Sequence, residues 1–206
     1  MPTGPRLWLR ADAGVTRDAF YRASGVTDQS GQSNHLTPTD TAKRPAWIAN
    51  GGNGRPTFRF DGSDDNLPFT TAISDLYSVF WVLKDNPTSG YRTFLNSSSV
   101  NTFLSDISTK IWGPFAATVV KSGETRLNGT LINGTLVNRP TQPAILSLVM
   151  TGVTTANGIG GNGPGASANA WFGDVAELIL YNRTLTAAER LQVEQYLAAR
   201  YGITLP

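Results

Sequence analysis

Short apolar or alternating runs, each closed by turn-forming residues, recur along this chain: Thr57 to Phe60, Tyr77 to Leu83, Arg92 to Leu95, Thr102 to Leu104, Ala116 to Val120, Ala144 to Met150 and Val175 to Tyr181. Runs of this length with frequent turns build antiparallel layers, because parallel strands need a helix-length crossover between them. Ser78–Leu83 and Ile145–Met150 are apolar at both parities, so both are expected as central strands covered on two sides. Asn-Gly pairs starting at Asn50, Asn53, Asn128, Asn133, Asn157 and Asn162 supply residues that tolerate the positive φ of tight turns.

One helix is announced, at the end. Thr186 and Glu189 have capping-box spacing, Leu191, Val193, Tyr196 and Leu197 supply an apolar side, and Gly202 offers a left-handed stop. These features predict a helix over 187–200. A length of 206 residues suits a single domain spanning 1–206. Charged residues are only 16 %, which with 21 glycines and 12 prolines favours turns over helices.

The formal charge of +2 comes without a basic run or a basic helix face, which argues against nucleic acid as a partner. Without cysteine there is neither a disulfide framework nor a thiolate metal site. No stretch approaches eighteen apolar residues, so no membrane span is expected. No signal peptide is legible at the N-terminus. The expected location is an extracellular surface or a virion, reached as an excised module or by a route such as host lysis.

Three stretches carry a resemblance. Leu7-Trp8-Leu9-Arg10-Ala11-Asp12-Ala13-Gly14-Val15 precedes Asp28-Gln29-Ser30-Gly31-Gln32-Ser33-Asn34-His35. The second stretch is Arg55-Pro56-Thr57-Phe58-Arg59-Phe60-Asp61-Gly62-Ser63-Asp64-Asp65, and the third is Gly173-Asp174-Val175-Ala176-Glu177-Leu178-Ile179-Leu180-Tyr181-Asn182-Arg183-Thr184-Leu185. Their order and spacing resemble the laminin-G-like members of the concanavalin A-like lectin/glucanase superfamily. The resemblance implies an all-β, two-sheet antiparallel jellyroll sandwich with one C-terminal α-helix, and a concave face that holds a glycan in many relatives. It does not imply one function, since lectins, adhesion modules, structural modules and glucanases share the fold.

The glucanases of that superfamily place their acids at E-x-D-x-E, and none of Glu124, Glu177, Glu189 or Glu194 lies in that pattern. Asp174 and Glu177 are three apart, which in a regular strand puts them on opposite faces, whereas retaining hydrolysis needs two carboxyls about 5 Å apart. No enzymatic activity is therefore expected. His35, the one histidine, reads as a loop residue closing a turn, without a visible nucleophile beside it. The glycines at 158, 160 and 163 lack the helix that a dinucleotide loop requires.

No cofactor is required by this reading, though a structural Ca²⁺ has candidate ligands. Asp61, with Asp64 and Asp65, surrounds Gly62, and the loop either holds Ca²⁺ or is a turn that Asp61 caps. The resemblance adds Asp174, with Asp28 as a third candidate. Trp112, Tyr91 with Arg92, and Trp47 stand at strand or loop edges where a ring could stack on a sugar; packing against the sheet is the alternative for each. Trp171 is a further aromatic of the same kind, while Trp8 and Trp81 are expected in the core. The function expected is a non-catalytic binding or adhesion module for carbohydrate or a cell-surface glycan. The alternative is a virion structural, decoration or fibre-associated protein of a bacterial virus, using the jellyroll for display and protein contacts.

Overall fold

The computed structural model describes residues 2–97, 101–161 and 169–206, and these are mostly β. Ten strands occur in the order β1 Leu7–Arg10, β2 Val15–Arg17, β3 Ala23–Val26, β4 Ala46–Gly52, β5 Arg55–Asp61, β6 Leu67–Asp85, β7 Glu124–Leu127, β8 Thr130–Ile132, β9 Ala144–Ile159 and β10 Phe172–Tyr181. A short helix, α1, spans Thr118–Lys121, and α2 spans Ala187–Tyr201. A large antiparallel sheet runs β4-β5-β10-β6-β9-β7-β8, with β1 also paired to β10; β2 and β3 form a separate two-stranded sheet.

The two expected central strands are the middle of the large sheet. Val79, Trp81 and Leu83 of β6, with Leu146, Leu148 and Met150 of β9, enter one apolar cluster. Phe80 and Val82, with Ile145, enter a second cluster beneath α2. The period-2 geometry of a strand thus feeds two cores from one run of apolar residues. Each fully buried large side chain contributes about 1.5–3 kcal/mol relative to exposure.

Three expected strands are not strands. Arg92–Leu95 and Thr102–Leu104 touch through a single bridge, Thr93 to Leu104, and the backbone N–H groups of Thr93 and Asn96 go to the Asn169 and Gly158 carbonyls. Ala116–Val120 instead runs into α1. Phe94, Phe103 and Val120 are nevertheless buried. In runs this short, apolar character fixes burial without fixing a period. Two Asn-Gly pairs make the expected turns, with Asn53 and Gly54 (φ 48° and 75°) joining β4 to β5 and Asn128 and Gly129 (49° and 80°) joining β7 to β8. Asn50 and Asn157 lie inside β4 and β9, Asn133 accepts from the Thr135 N–H, and Asn162 lies outside the described residues.

Helix α2 begins and ends where its caps require. The Thr186 hydroxyl accepts from the Glu189 N–H, the Glu189 side chain accepts from the Thr186 N–H, and Gly202 is left-handed at φ 61°. Arg183 forks onto Glu189 at 2.9 and 2.7 Å and holds its carboxyl down to about 2. Val193, Leu197, Ala198 and Tyr201 face the sheet, while Leu191 is exposed and does not join them. No helix among the described residues is long and apolar enough to cross a membrane.

Candidate functional site

The acids singled out from the sequence do not form one group. Asp28 is buried and accepts four hydrogen bonds, from the backbone N–H groups of Trp8, Ser30 and Asn34 and from the Ser30 hydroxyl. It ties the 28–35 loop to β1, and His35 completes that loop by accepting from the Asp28 N–H through Nδ1. Asp174 is flanked by Arg59, whose Nε and Nη2 donate at 2.7 and 2.9 Å, and by Lys84 at 3.1 Å. A carboxylate already neutralised by two cations is not a cation ligand, and one capping a loop with all its lone pairs has none free. Asp174 and Asp28 are therefore corrected as metal ligands.

Asp61 caps its turn, with Oδ1 accepting from the Ser63 N–H at 2.8 Å. The same turn brings carboxylate oxygens of Asp61, Asp64 and Asp65 within 4.8 Å of one another. This donor set suits a hard cation. Burial first, then the negative charge of Asp61, pushes the Asp65 carboxyl up to about 6 from its ordinary 3.8. The folded state thus binds this proton more tightly than the unfolded chain does, so the associated stability is full below about pH 3.8 and is lost as pH rises through about 6. Asp65→Asn is expected to remove that decline, which is at most about 3 kcal/mol. Urea unfolding of both proteins between about pH 4 and about pH 7.5 checks this: similar slopes against pH would contradict it.

The parity argument that separated Asp174 from Glu177 fails at a β-bulge. The β10–β6 register shifts between Val175 and Glu177, leaving Ala176 as the extra residue. Ala176 and Glu177 consequently both face α2, and so does Asp174, which is registered with Lys84. Glu177 is buried there, accepting from the Trp8 indole at 2.6 Å and the Tyr201 hydroxyl at 2.9 Å. Burial raises its carboxyl pKa, with the two donors opposing the rise. The arrangement pins α2 to β10 and β1.

The aromatic candidates occupy different environments. Trp112 is 1 % exposed, packs against Trp81 and Phe94, and donates its indole N–H to Thr125 Oγ1 at 2.9 Å. It is a core residue, as is Trp171, and is corrected as a stacking surface. Tyr91 is half-buried against the exposed Phe115, and Arg92 lies 5.6 Å from the Phe172 ring centroid. Trp47 is half-buried, its indole N–H donating to the Ala11 carbonyl at 2.7 Å.

Beside Trp47 stands a group that the sequence reading passed over. The β2–β3 hairpin tip presents Phe20 at 81 % and Tyr21 at 64 % exposure. The Arg17 guanidinium lies 4.3 Å from the Trp47 ring centroid and 5.8 Å from that of Tyr21. Asp18 Oδ1 holds the tip by accepting from the Phe20 and Arg22 N–H groups, the Arg22 bond chiefly keeping the carboxyl below its ordinary pKa. The Tyr21 carbonyl accepts from the Trp47 N–H, and Tyr21 has a φ of 58°. A bulky residue held left-handed is a strained conformation that its surroundings must impose. Asp18, Phe20, Arg22, Thr41 and Arg44 line an adjoining recess of about 400 Å³. The sequence signal was present: two adjacent aromatics between Asp18 and Arg22, with no apolar run to bury them.

In comparisons with known proteins, no family model, no curated protein and no solved structure matched the chain.

Proposed function

We propose that the chain is a non-catalytic binding module whose body is a laminin-G-like, concanavalin A-like jellyroll, and that it recognises carbohydrate or a cell-surface glycan at the β2–β3 tip. The observation that carries this reading is the pair of exposed rings, Phe20 and Tyr21, fixed beside a recess lined by Asp18, Arg22 and Arg44. A sugar presents an apolar face to stack on a ring and hydroxyls that both donate and accept, so a ring beside charged donors and acceptors meets both needs. The tip is held by Asp18 and by Trp47, which lowers the entropy lost on binding. A Ca²⁺ ion on the Asp61, Asp64 and Asp65 loop would supply structural support, and the reading requires none.

A glycan array screened with and without Ca²⁺ tests this. Binding to a defined set of glycans is expected, and no binding under either condition would count against it. Phe20→Ala should weaken the retained glycan about tenfold. Its unfolding midpoint should not move, since the ring is 81 % exposed. Equal retention by the variant would remove the tip from the site. The second reading, a display or decoration component of a bacterial virus, draws on the exposed Ile107, Phe115, Leu131 and Leu136 side chains, which suit protein contacts.

A further inference from the structure

We infer that the recess at the adjoining ends of β5, β6 and β10 is a second binding site, taking a sugar that carries an anionic oxygen group. Asp174 is registered with Arg59 of β5 on one side and Lys84 of β6 on the other. Three adjacent strands therefore present Arg59, Asp174 and Lys84 in one row on one face. Two cations share one carboxylate, and the row has a formal charge of +1.

The other acid lining the recess does not cancel this excess. Asp85 is paired with Arg139 at 2.9 Å, and both side chains are out of solvent. Asp61, cross-strand from Phe172, does not line the recess. Arg59 and Lys84 keep 48 % and 30 % of their side chains exposed. Arg59 uses Nε and Nη2 on Asp174, which leaves Nη1 free, and Lys84 has donors beyond the one it gives Asp174. Asn86, Thr141 and Gln142 complete the rim, and their side chains engage in no hydrogen bond among the described residues.

The walls set the size and kind of ligand. The recess is about 360 Å³, within the usual range for small-molecule sites, and Phe172 forms one side. Gly173 lines it without a side chain, and a Cβ there would lie 2.2 Å from the Lys84 carbonyl oxygen, so only glycine lets the strands approach at that point. The remaining Asp85 carboxylate oxygen, Oδ1, is unpartnered but buried, so neutral hydroxyls would find charged donors but no accessible charged acceptor. A carboxylate or sulfate on a pyranose supplies the acceptors, while the ring lies along Phe172.

The test is a titration of the full chain with D-glucuronate, a glucose sulfate ester, D-glucose and inorganic sulfate, followed by amide chemical shifts at Gly173 and Asn86. One or both charged sugars should shift these amides and bind at least about tenfold tighter than glucose, more weakly as salt rises. Lys84→Gln should lose about tenfold. Thr141→Trp, which fills the recess from an exposed position without touching the ion pairs, should abolish the shifts while leaving the unfolding midpoint in place. Phe20→Ala should leave them unchanged, so this site and the hairpin site can fail separately. Equal binding of glucose, equal binding of inorganic sulfate, no shift with either charged sugar, or full binding by Thr141→Trp would each overturn the inference.

Discussion

Replacing Arg139 with methionine is expected to lower the unfolding free energy by about 3–5 kcal/mol, the range for removing one partner of a buried ion pair. Arg139 donates through Nε to Asp85 Oδ2, through Nη1 to the Ser105 hydroxyl and the Asp106 carbonyl, and through Nη2 to the Thr88 carbonyl. One guanidinium thereby joins the end of β6 to two loop segments that have no ladder of their own. Burial already pushes the Asp85 carboxyl pKa up, against the opposing pull of Arg139. Without Arg139 it rises further, so the variant should lose stability more steeply than the parent as pH increases. Changing Asp85→Asn in the same chain removes the stranded charge and should restore part of the loss. Urea unfolding of the parent, the single variant and the double variant checks this, and a loss of less than about 0.5 kcal/mol for Arg139→Met would contradict it.

Trp112→Ala should cost a similar amount, about 3–5 kcal/mol, by opening a cavity between Trp81 and Phe94 and leaving Thr125 Oγ1 without its indole donor. Gly134 shows how closely the ring is held, since a Cβ there would lie 2.3 Å from the indole. Trp112→Phe keeps most of the volume and should cost less than the alanine variant. A Trp112→Ala protein that keeps its unfolding midpoint and loses only ligand binding would return this residue to the surface role its sequence context suggested.

The parts of the fold legible in the sequence are those where several signals agree. At α2 the capping box, the apolar side and the glycine stop coincide, and the observed helix, Ala187–Tyr201, extends the expected one by a single residue. In Ser78–Leu83 and Ile145–Met150 a run apolar at both parities can be satisfied only by cover on both faces. For Trp112 the sequence leaves stacking and packing both open, because Gly113 and Pro114 beside it look like a loop edge, whereas its burial depends on Gly134, twenty-two residues away and without a side chain. The Ala176 bulge had no signal either: one extra residue in β10 is defined only against its partner β6. Trp112, Tyr91 with Arg92, and Trp47 stand out along the chain as single aromatics at strand or loop edges, whereas the hairpin tip depends on Asp18 hydrogen bonds that hold Phe20 and Tyr21 outward. Arg59 and Lys84 were likewise unremarkable along the chain, and became neighbours of one carboxylate only through the register of three strands.

The claim that the β2–β3 tip is where this protein meets a glycan is tested most directly by titrating a neutral glycan retained on an array into isotope-labelled protein and mapping the amide shifts. The largest changes should fall on residues 17–22 and Trp47, and should vanish in Phe20→Ala. Shifts confined to other parts of the molecule, with the tip unperturbed, would contradict it.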